Sequence, residues 1–582
     1  MPRIWRFTPH DSGRVQSLSS ELRCSSLLAK VLLSRGYDSK DNASLFLSAK
    51  LTDLHDPELL PGCAEAADRI IAALNAGRKI TIYGDYDVDG VTSTTILWQC
   101  LKRVGGNVDY YIPCRMEEGY GLNEEAIRTL HEQDPNQLVV SVDCGITSVG
   151  VARVARELNF ELIITDHHLF GSELPDAAVL VHPRLPGSNY PFGELCGAGV
   201  AFKLAWAICQ RLGEGRKASP RMREFLKDAV AFCALGTVAD VVPLVGENRA
   251  LVRYGLATLK EHSSLGLQSL MAAAEIRNKA EFTTDDIGFA LAPRINAAGR
   301  LGQARLAVEL LTTDNPERAL QLAQYLDQLN KQRQQVERKI LKRAKELVEE
   351  HPEWQDAPGL VLADPDWHPG VIGIVASRVA EHFEKPTILV AIDEAKQSGQ
   401  GSGRTWARCD LHATIKPVSE GLLSFGGHQA AIGLKIPADH IDDFRVAFCN
   451  SLMTTHMSQG EPQVELRIDA EVSLQDLTQR SVTELDQLGP FGNANERPVF
   501  SATGITLAEP PKKIGNGERH LSVKFSWQHK TIRAIAFGKA DWADQMNETK
   551  GPMAITFAPI INTFRGYSSV ELQLIDWKPA EA

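Results

Sequence analysis

Short β-branched runs alternate with amphipathic stretches over the first 270 or so residues. Lys79–Tyr83, Leu138–Val142, Leu162–Thr165 and Ala178–Val181 are apolar with little alternation, the pattern of strands buried on both faces. Between them, Glu124–Gln133 and Val149–Leu158 carry apolar residues at helical spacing. The combination predicts βαβ units: a parallel sheet covered by helices on both sides. Sites in such sheets form at the carboxyl ends of the strands.

A long helix is predicted next. Asp314 or Asn315 can cap it, Pro316 suits its first turn, and His351-Pro352 ends it. Pro316 to Glu350 would span about 50 Å at 1.5 Å per residue. Its middle, Asn330–Gln335 and Glu337–Lys339, is polar on every side. That pattern predicts a helix bridging two domains through solvent. A second α/β region follows, with strands at Leu360–Ala363 and Thr387–Ala391 and a helix at Ile374–Phe383. From about Gln463 the runs shorten and alternate, as in Leu521–Trp527, Thr531–Phe537 and Ala554–Phe557, which predicts a small β-barrel or sandwich.

Composition changes this picture little. With 582 residues, 43% hydrophobic and 23% charged, the chain has the make-up of a globular protein of three or four domains. It has no apolar run of membrane-spanning length. Met1–Gln16 lacks the apolar core of a signal peptide, and none of the ten cysteines are paired as Cys-x-x-Cys, so a reducing cytoplasm is expected. Net charge is −11, yet Arg497–Lys539 holds eight Lys and Arg against two Glu. That local basic stretch, with Phe500, Phe525, Trp527 and Phe537 interleaved, suits a nucleic-acid surface. Most of these aromatics are expected to fill the barrel core, leaving the charges outward.

The sharpest chemistry is Asp85-Tyr-Asp87-Val-Asp89-Gly90. Three carboxylates at alternate positions repel one another, and cations relieve that repulsion best. The pattern also opens a calcium EF-hand loop. That reading fails because Ile96 stands where a bidentate Glu is required and the preceding segment is a strand. Two further strands end in similar groups: Leu138–Val142 at Asp143, and Leu162–Thr165 at Asp166-His167-His168. Asp240 sits alone in the apolar stretch Leu235–Pro243, where a helix cap and a ligand are equally open readings. Carboxylates and imidazoles without thiolates suit Mg²⁺ or Mn²⁺. Two such ions about 3.5–4 Å apart are the usual apparatus of phosphoryl chemistry.

The segments Asp85–Gly90, Val142-Asp-Cys-Gly145, Thr165-Asp-His-His168 and Gly236-Thr-Val-Ala-Asp-Val-Val-Pro243 resemble the four motifs of the DHH phosphoesterase superfamily. Within it, Arg115–Gly121, Pro293–Arg300, Gly401-Ser-Gly-Arg404 and Gly426–Gly433 resemble the bacterial single-strand-specific 5′→3′ DNA exonucleases. Gly489–Gly492, Gly517–Leu521 and Asn562–Gly566 are similar to their OB-fold. The resemblance covers roughly residues 25 to 575.

It implies a parallel-sheet DHH domain and a second α/β, DHH-associated domain joined by a long helix, followed by a C-terminal OB-like β-barrel. The implied division is an N-terminal segment (1–50), the catalytic domain (51–270), a helical connector (271–352), a substrate-binding domain (353–455) and an OB-fold (463–577). The implied reaction releases 5′-mononucleotides with two divalent ions, Mn²⁺ or Mg²⁺. Asp87 would hold one ion, and Asp89, His167 and Asp240 the other. Asp143 would bridge, with Asp85 a ligand or just behind one. Asp166 would orient a histidine, and His168 would face the scissile phosphate. Arg115, Ser402 and Arg404 would hold the 5′-terminal phosphate, helped by N–H groups of a Gly-Ser-Gly turn. Asn296, Arg300 and His428 would touch backbone phosphates, although His428 can also be a structural residue at a helix start. Arg294 can equally be a backbone contact or a surface salt-bridge partner, and is not assigned to the site.

A cleft too narrow for duplex would confer strand selectivity. Cys144 stands where many members carry Asn, which leaves the ligands intact and bears on rate. Single-strand binding protein and a helicase are partners implied by the family, and a monomer is expected. The rival readings are a small-substrate DHH phosphoesterase and a non-catalytic scaffold on a decayed DHH domain. No Walker A pattern is present.

Overall fold

The structure is a computed structural model that describes residues 3–114, 118–119, 121–214, 217–407, 409–459, 464–528, 530–549, 551–564 and 566–580. After a short strand, β1 (Ile4–Phe7), and several helices, the chain enters a five-stranded sheet. Its strands are β2 (Ile80–Gly84), β3 (Val108–Tyr111), β4 (Leu138–Val142), β5 (Leu162–Thr165) and β6 (Val179–Val181). They are ordered β3-β2-β4-β5-β6 and all parallel. β2, β4 and β5 are buried along their whole length, as their unbroken apolar runs require. The helices Val88–Arg103, Gly197–Arg211 and Pro220–Ala239 pack on one another beside this sheet.

The second sheet contains β7 (Leu360–Asp364), β8 (Thr387–Asp393), β9 (Ser398–Arg404), β10 (Ser424–His428) and β11 (Ala431–Pro437), in the order β10-β11-β9-β8-β7. Only β7 and β8 run parallel. The helix Pro316–Glu350 precedes it, with Asn315 accepting from the N–H groups of Glu317 and Arg318. The predicted ends of this helix hold, but its polar middle is not bare to solvent on every side. Asn330 and Glu337 are buried. Arg333 donates to Glu337 at 2.8 Å and to Asn330 at 2.9 Å, and Arg378 pairs with Glu337 at 2.6 Å. One side of the polar middle thus forms an ion-pair cluster against the helix Ile372–Phe383, while Lys331, Gln332, Gln335, Arg338 and Lys339 face solvent. Periodicity cannot distinguish a polar face in water from one matched by polar partners.

These two sheets and the long helix lie in one compact unit, His55–Val242 with Tyr254–Val464. The other unit joins Met1–Leu54, Pro243–Arg253 and Glu465–Ala582. In it β1 pairs in parallel with β12 (Glu465–Ile468). Its larger sheet comprises β13 (Ala470–Glu471), β14 (Phe500–Leu507), β15 (Lys512–Ile514), β16 (His520–Trp527), β17 (Lys530–Ala536), β18 (Met553–Phe564) and β19 (Tyr567–Pro579). The order is β13-β14-β18-β19-β17-β16-β15, and an added β14–β16 pairing closes it into a ring, the barrel the alternation predicts. Phe500 and Phe525 fill its core, Trp527 packs at the core's edge, and Phe537 is exposed. Lys524 and Arg533 stand on the outer face. Among the described residues, no helix is long and apolar enough to cross a membrane.

Candidate metal centre and phosphate-binding residues

The carboxyl ends of β2, β4 and β5 deliver the acidic motifs to one place. Directly after β2, Asp85 is buried and Asp87 caps the helix Val88–Arg103, its Oδ1 accepting from the N–H groups of Asp89 and Gly90. Asp89 lies within the first turn of that helix. Its Oδ2 accepts from Gly197 N at 2.6 Å and its Oδ1 from Ala198 N at 2.8 Å. A buried carboxylate is thus held at the N-terminus of the helix Gly197–Arg211, where the helix dipole favours it. At the end of β4, Asp143 takes a left-handed φ of 62°, uncommon for a residue with a side chain and a form of strain that collects at functional sites. A methyl group at position 197 would collide with the Asp143 carboxylate, and one at position 236 with that of Asp89, so glycine is required at both.

His167 is where these groups meet. Its Nε2 lies 3.2 Å from Asp143 Oδ1, 3.6 Å from Asp240 Oδ2 and 3.7 Å from Asp89 Oδ2. Potential ligand atoms fall within 4.8 Å of one another in the sets Asp89, His167, Asp240 and Asp85, Asp87, Asp143. Burial pushes the Asp143 carboxyl well above its ordinary value, and Asp89, Asp87, Asp85 and Asp240 add to the push. Burial followed by Asp89 and Asp87 raises Asp240 to about 8, and burial with Asp89 raises Asp87. Burial also lowers His167 to about 4, so its imidazole is neutral near pH 7. Its Nε2 and Asp143 Oδ1 are both buried, and neither makes a hydrogen bond among the described residues. Lone pairs from hard oxygens and a neutral imidazole converging on the same space fit divalent cations, which would remove the repulsion that raises these carboxyls.

Asp166 does a different job. Its Oδ1 accepts from His167 N, His168 N and His168 Nδ1, the last at 2.7 Å, while Oδ2 accepts from Ile146 N. Burial opposes its charge, but the His168 hydrogen bond, the charge of His168, the Ile146 N–H and His167 together outweigh burial and hold Asp166 at about 2. At His168 burial works against the charge, and the Asp166 pairing together with the Asp240 and Asp89 carboxylates overcomes it and lifts His168 to about 9, so it is a cation near neutrality. Sequence reasoning missed His182. Its Nδ1 accepts from Arg184 N, which leaves Nε2–H to donate to the His168 carbonyl at 2.8 Å. It also missed the Gly197 and Ala198 N–H groups and Gly236. The glycines of Cys196-Gly-Ala-Gly199, at a helix start, were the available signal.

The phosphate-binding expectations divide. Arg115 lies outside the described residues. Asn296 Oδ1 accepts from Val88 N at 3.2 Å, beside the acidic loop. Arg300 donates to Gly370 O at 3.1 Å. Ser402 and Arg404 are neighbours on one face of β9, with Arg404 Nη1 donating to Ser402 Oγ at 3.0 Å. The expected Gly-Ser-Gly turn is a strand, flanked by β8 and β11, so its backbone groups serve the sheet. Gly401 and Gly403 are there because methyl groups would strike Leu434 and Ile432. Gly426-Gly427 likewise lie within β10, not in a turn, and His428 is an exposed residue at the end of that edge strand, not at a helix start. Its Nδ1 accepts from Ala430 N. Arg294, left open between the two readings, is ion-paired with Asp327 at 2.8 Å.

Comparison with known proteins follows this division. Residues 79–237 match the DHH family N-terminal domain, 356–454 the DHHA1 domain, and 468–576 the RecJ OB domain. The class is therefore that of the DHH proteins, with a DHHA1 domain appended. The curated relatives include single-stranded-DNA-specific exonuclease RecJ of Bacillus subtilis, 38% identical over 92% of this chain and 66% of that protein. RecJ of Dickeya dadantii is 35% identical over 90% of this chain and 92% of its own, and that of Escherichia coli 34% over 94% of each. A crystal structure of Thermus thermophilus RecJ with Mn²⁺ covers 100% of this chain and 80% of its own at 30% identity, with a TM-score of 0.83. The Mg²⁺ form gives 0.77. The chain belongs to the RecJ family.

Proposed function

We propose that this chain is a metal-dependent exodeoxyribonuclease that degrades single-stranded DNA in the 5′→3′ direction and releases 5′-mononucleotides, acting in DNA repair and recombination. The observation that carries the reading is the convergence of Asp85, Asp87, Asp89, Asp143, His167 and Asp240 from four separate segments. The relatives named as single-stranded-DNA-specific exonucleases, and the Mn²⁺ and Mg²⁺ in the Thermus structures, support it.

In this reading Asp87 would help hold one ion, with Asp85 as a further ligand or just behind one, Asp89, His167 and Asp240 would hold the other, and Asp143 would serve between them. Bound ions would activate water and neutralise charge on the phosphoryl oxygens. Water attacks phosphorus in line, the bond to the 3′-oxygen of the terminal nucleotide breaks, and the shortened strand keeps a new 5′-phosphate. His168, cationic and oriented by Asp166, faces the scissile phosphate and stabilises its charge. Ser402 and Arg404, with Arg115, hold the terminal phosphate, and Asn296, Arg300 and His428 follow the backbone.

The domain roles are catalysis for 51–270, connection for 271–352, end recognition for 353–455 and strand tracking for 463–577, after the segment 1–50. Lys524 and Arg533 supply part of the tracking surface. A cytoplasmic monomer recruited through single-strand binding protein and a helicase completes the reading.

The test uses 5′-labelled and 3′-labelled single strands, duplex and a short RNA, with Mn²⁺ or Mg²⁺, and compares the unaltered protein with Asp143→Ala. Label should leave the 5′ end first and only with metal. Release from the 3′ end first would overturn the polarity, and preference for dinucleotides would point to a small-substrate phosphoesterase.

A further inference from the structure

The last turn of the helix Ala292–Arg300 touches the acidic loop through Asn296 and Gly299 and the second α/β region through Arg300. On the first side, Asn296 accepts from Val88 N, and Gly299 lies against the Tyr86 carbonyl so closely that a methyl group there would overlap it. On the second side, Arg300 Nη1 donates to Gly370 O at 3.1 Å. Gly370 in turn packs on the Arg300 carbonyl, and a methyl group at position 370 would stand only 2.5 Å from that oxygen. Three residues later, Gly373 opens toward β9, where a methyl group would be 3.0 Å from both Arg404 Nη2 and Ser402 Oγ. The path from Asp85–Asp87 to Ser402 and Arg404 therefore runs through one rigid helical turn and three glycine contacts. At Gly299 and Gly370 the opposing atom is a backbone oxygen that cannot yield, while at Gly373 it is the end of a side chain.

We infer that Gly299 and Gly370 are positioning residues: they make the helix Ala292–Arg300 a strut that sets the span between the acidic cluster and the Ser402–Arg404 anion pocket, and hence the length of product released. The inference rests on the reading of those two sites given above. Backbone oxygen against glycine is a contact with no slack, since neither group can rotate away. A methyl group at Gly370 must push the two sites apart or tilt them, and a misplacement of about 1 Å between bound groups costs on the order of 10²-fold in rate. The damage is confined to strands that use both sites together. A strand without a 5′-phosphate does not span the gap and does not sense its width.

The experiment compares the full chain with Gly370→Ala and Arg404→Ala, using Mn²⁺ and single strands bearing a 5′-phosphate or a 5′-hydroxyl. For Gly370→Ala, kcat/KM on the phosphorylated strand should fall by about 10²-fold. The hydroxyl strand and Mn²⁺ affinity by calorimetry should stay as in the unaltered protein, while the thermal midpoint falls because the methyl group meets a backbone oxygen. Equal losses on both strands, or none, would overturn the strut. So would a Gly370→Ala protein that keeps the phosphate preference which Arg404→Ala abolishes. If Arg404→Ala keeps the preference as well, the anion pocket is wrong and the strut falls with it. A second measurement needs no variant. On a strand with one three-carbon spacer between the terminal phosphate and the first nucleoside, a set span moves the first cut one unit toward that phosphate. A first cut that still releases the first nucleoside would overturn the inference even if Gly370→Ala fails to fold.

Discussion

The two sheets of the larger unit present their chemistry in opposite ways. The parallel sheet offers nothing from its faces, which are buried, and collects Asp85, Asp143 and Asp166–His168 from the loops after β2, β4 and β5. The mixed sheet offers Ser402 and Arg404 from the face of a strand, β9, while Gly399, Gly401 and Gly403 of the same strand pack into the core. The first arrangement crowds like charges in a buried space and needs cations and a strained backbone at Asp143 to persist. The second gathers a cation and a hydroxyl at a partly exposed surface, where little opposes them. A site made of loop ends can be more reactive, and one made on a strand face is more tolerant of change.

That contrast can be tested from its strongest consequence downward. Asp143→Asn should lower exonuclease rate by roughly 10³-fold, because a carboxylate that lies with Asp85 and Asp87 and 3.2 Å from His167 Nε2 is lost. Single-turnover rates on a 5′-labelled strand would show it, and a loss below tenfold would remove Asp143 from the centre. Glu337→Ala should destabilise the chain by about 3 kcal/mol, read from urea unfolding, since it strands the largely buried Arg333 charge without its partner. Asp166→Asn should cost about 10- to 100-fold in rate while Mn²⁺ still binds, because His168 loses the carboxylate that holds and charges it. Arg404→Lys should cost about tenfold in KM for a 5′-phosphorylated strand with kcat nearly unchanged, as a planar fork is replaced by a point charge. Added Mn²⁺ should also raise the thermal midpoint of the unaltered chain, and Asp143→Asn should blunt that rise.

Much of the architecture is legible in the residue pattern. β4, β5, the helix Glu124–Gln133 and the 35-residue helix Pro316–Glu350 fall where periodicity and capping place them. Glycines mislead in β9 and β10. There they permit close packing within a sheet, and a composition rule that treats Gly-Ser-Gly as a turn cannot see the neighbour that demands the missing side chain. The polar middle of the long helix misleads for a related reason, since Arg378 lies far along the chain from its partner Glu337.

The chain's own order of residues determined which groups carry chemistry, where strands and helices run, and that hard-ligand phosphoryl chemistry was on offer. Those are local properties, set by spacing along the backbone and by side-chain type. Tertiary structure alone decided that Gly197 N–H would steady Asp89, that His182 would brace His168, and that Gly299 and Gly370 would sit against carbonyls 213 and 70 positions away in number. Such contacts join segments brought together only when the cores close, and a pairwise distance of that kind leaves no trace in periodicity or composition.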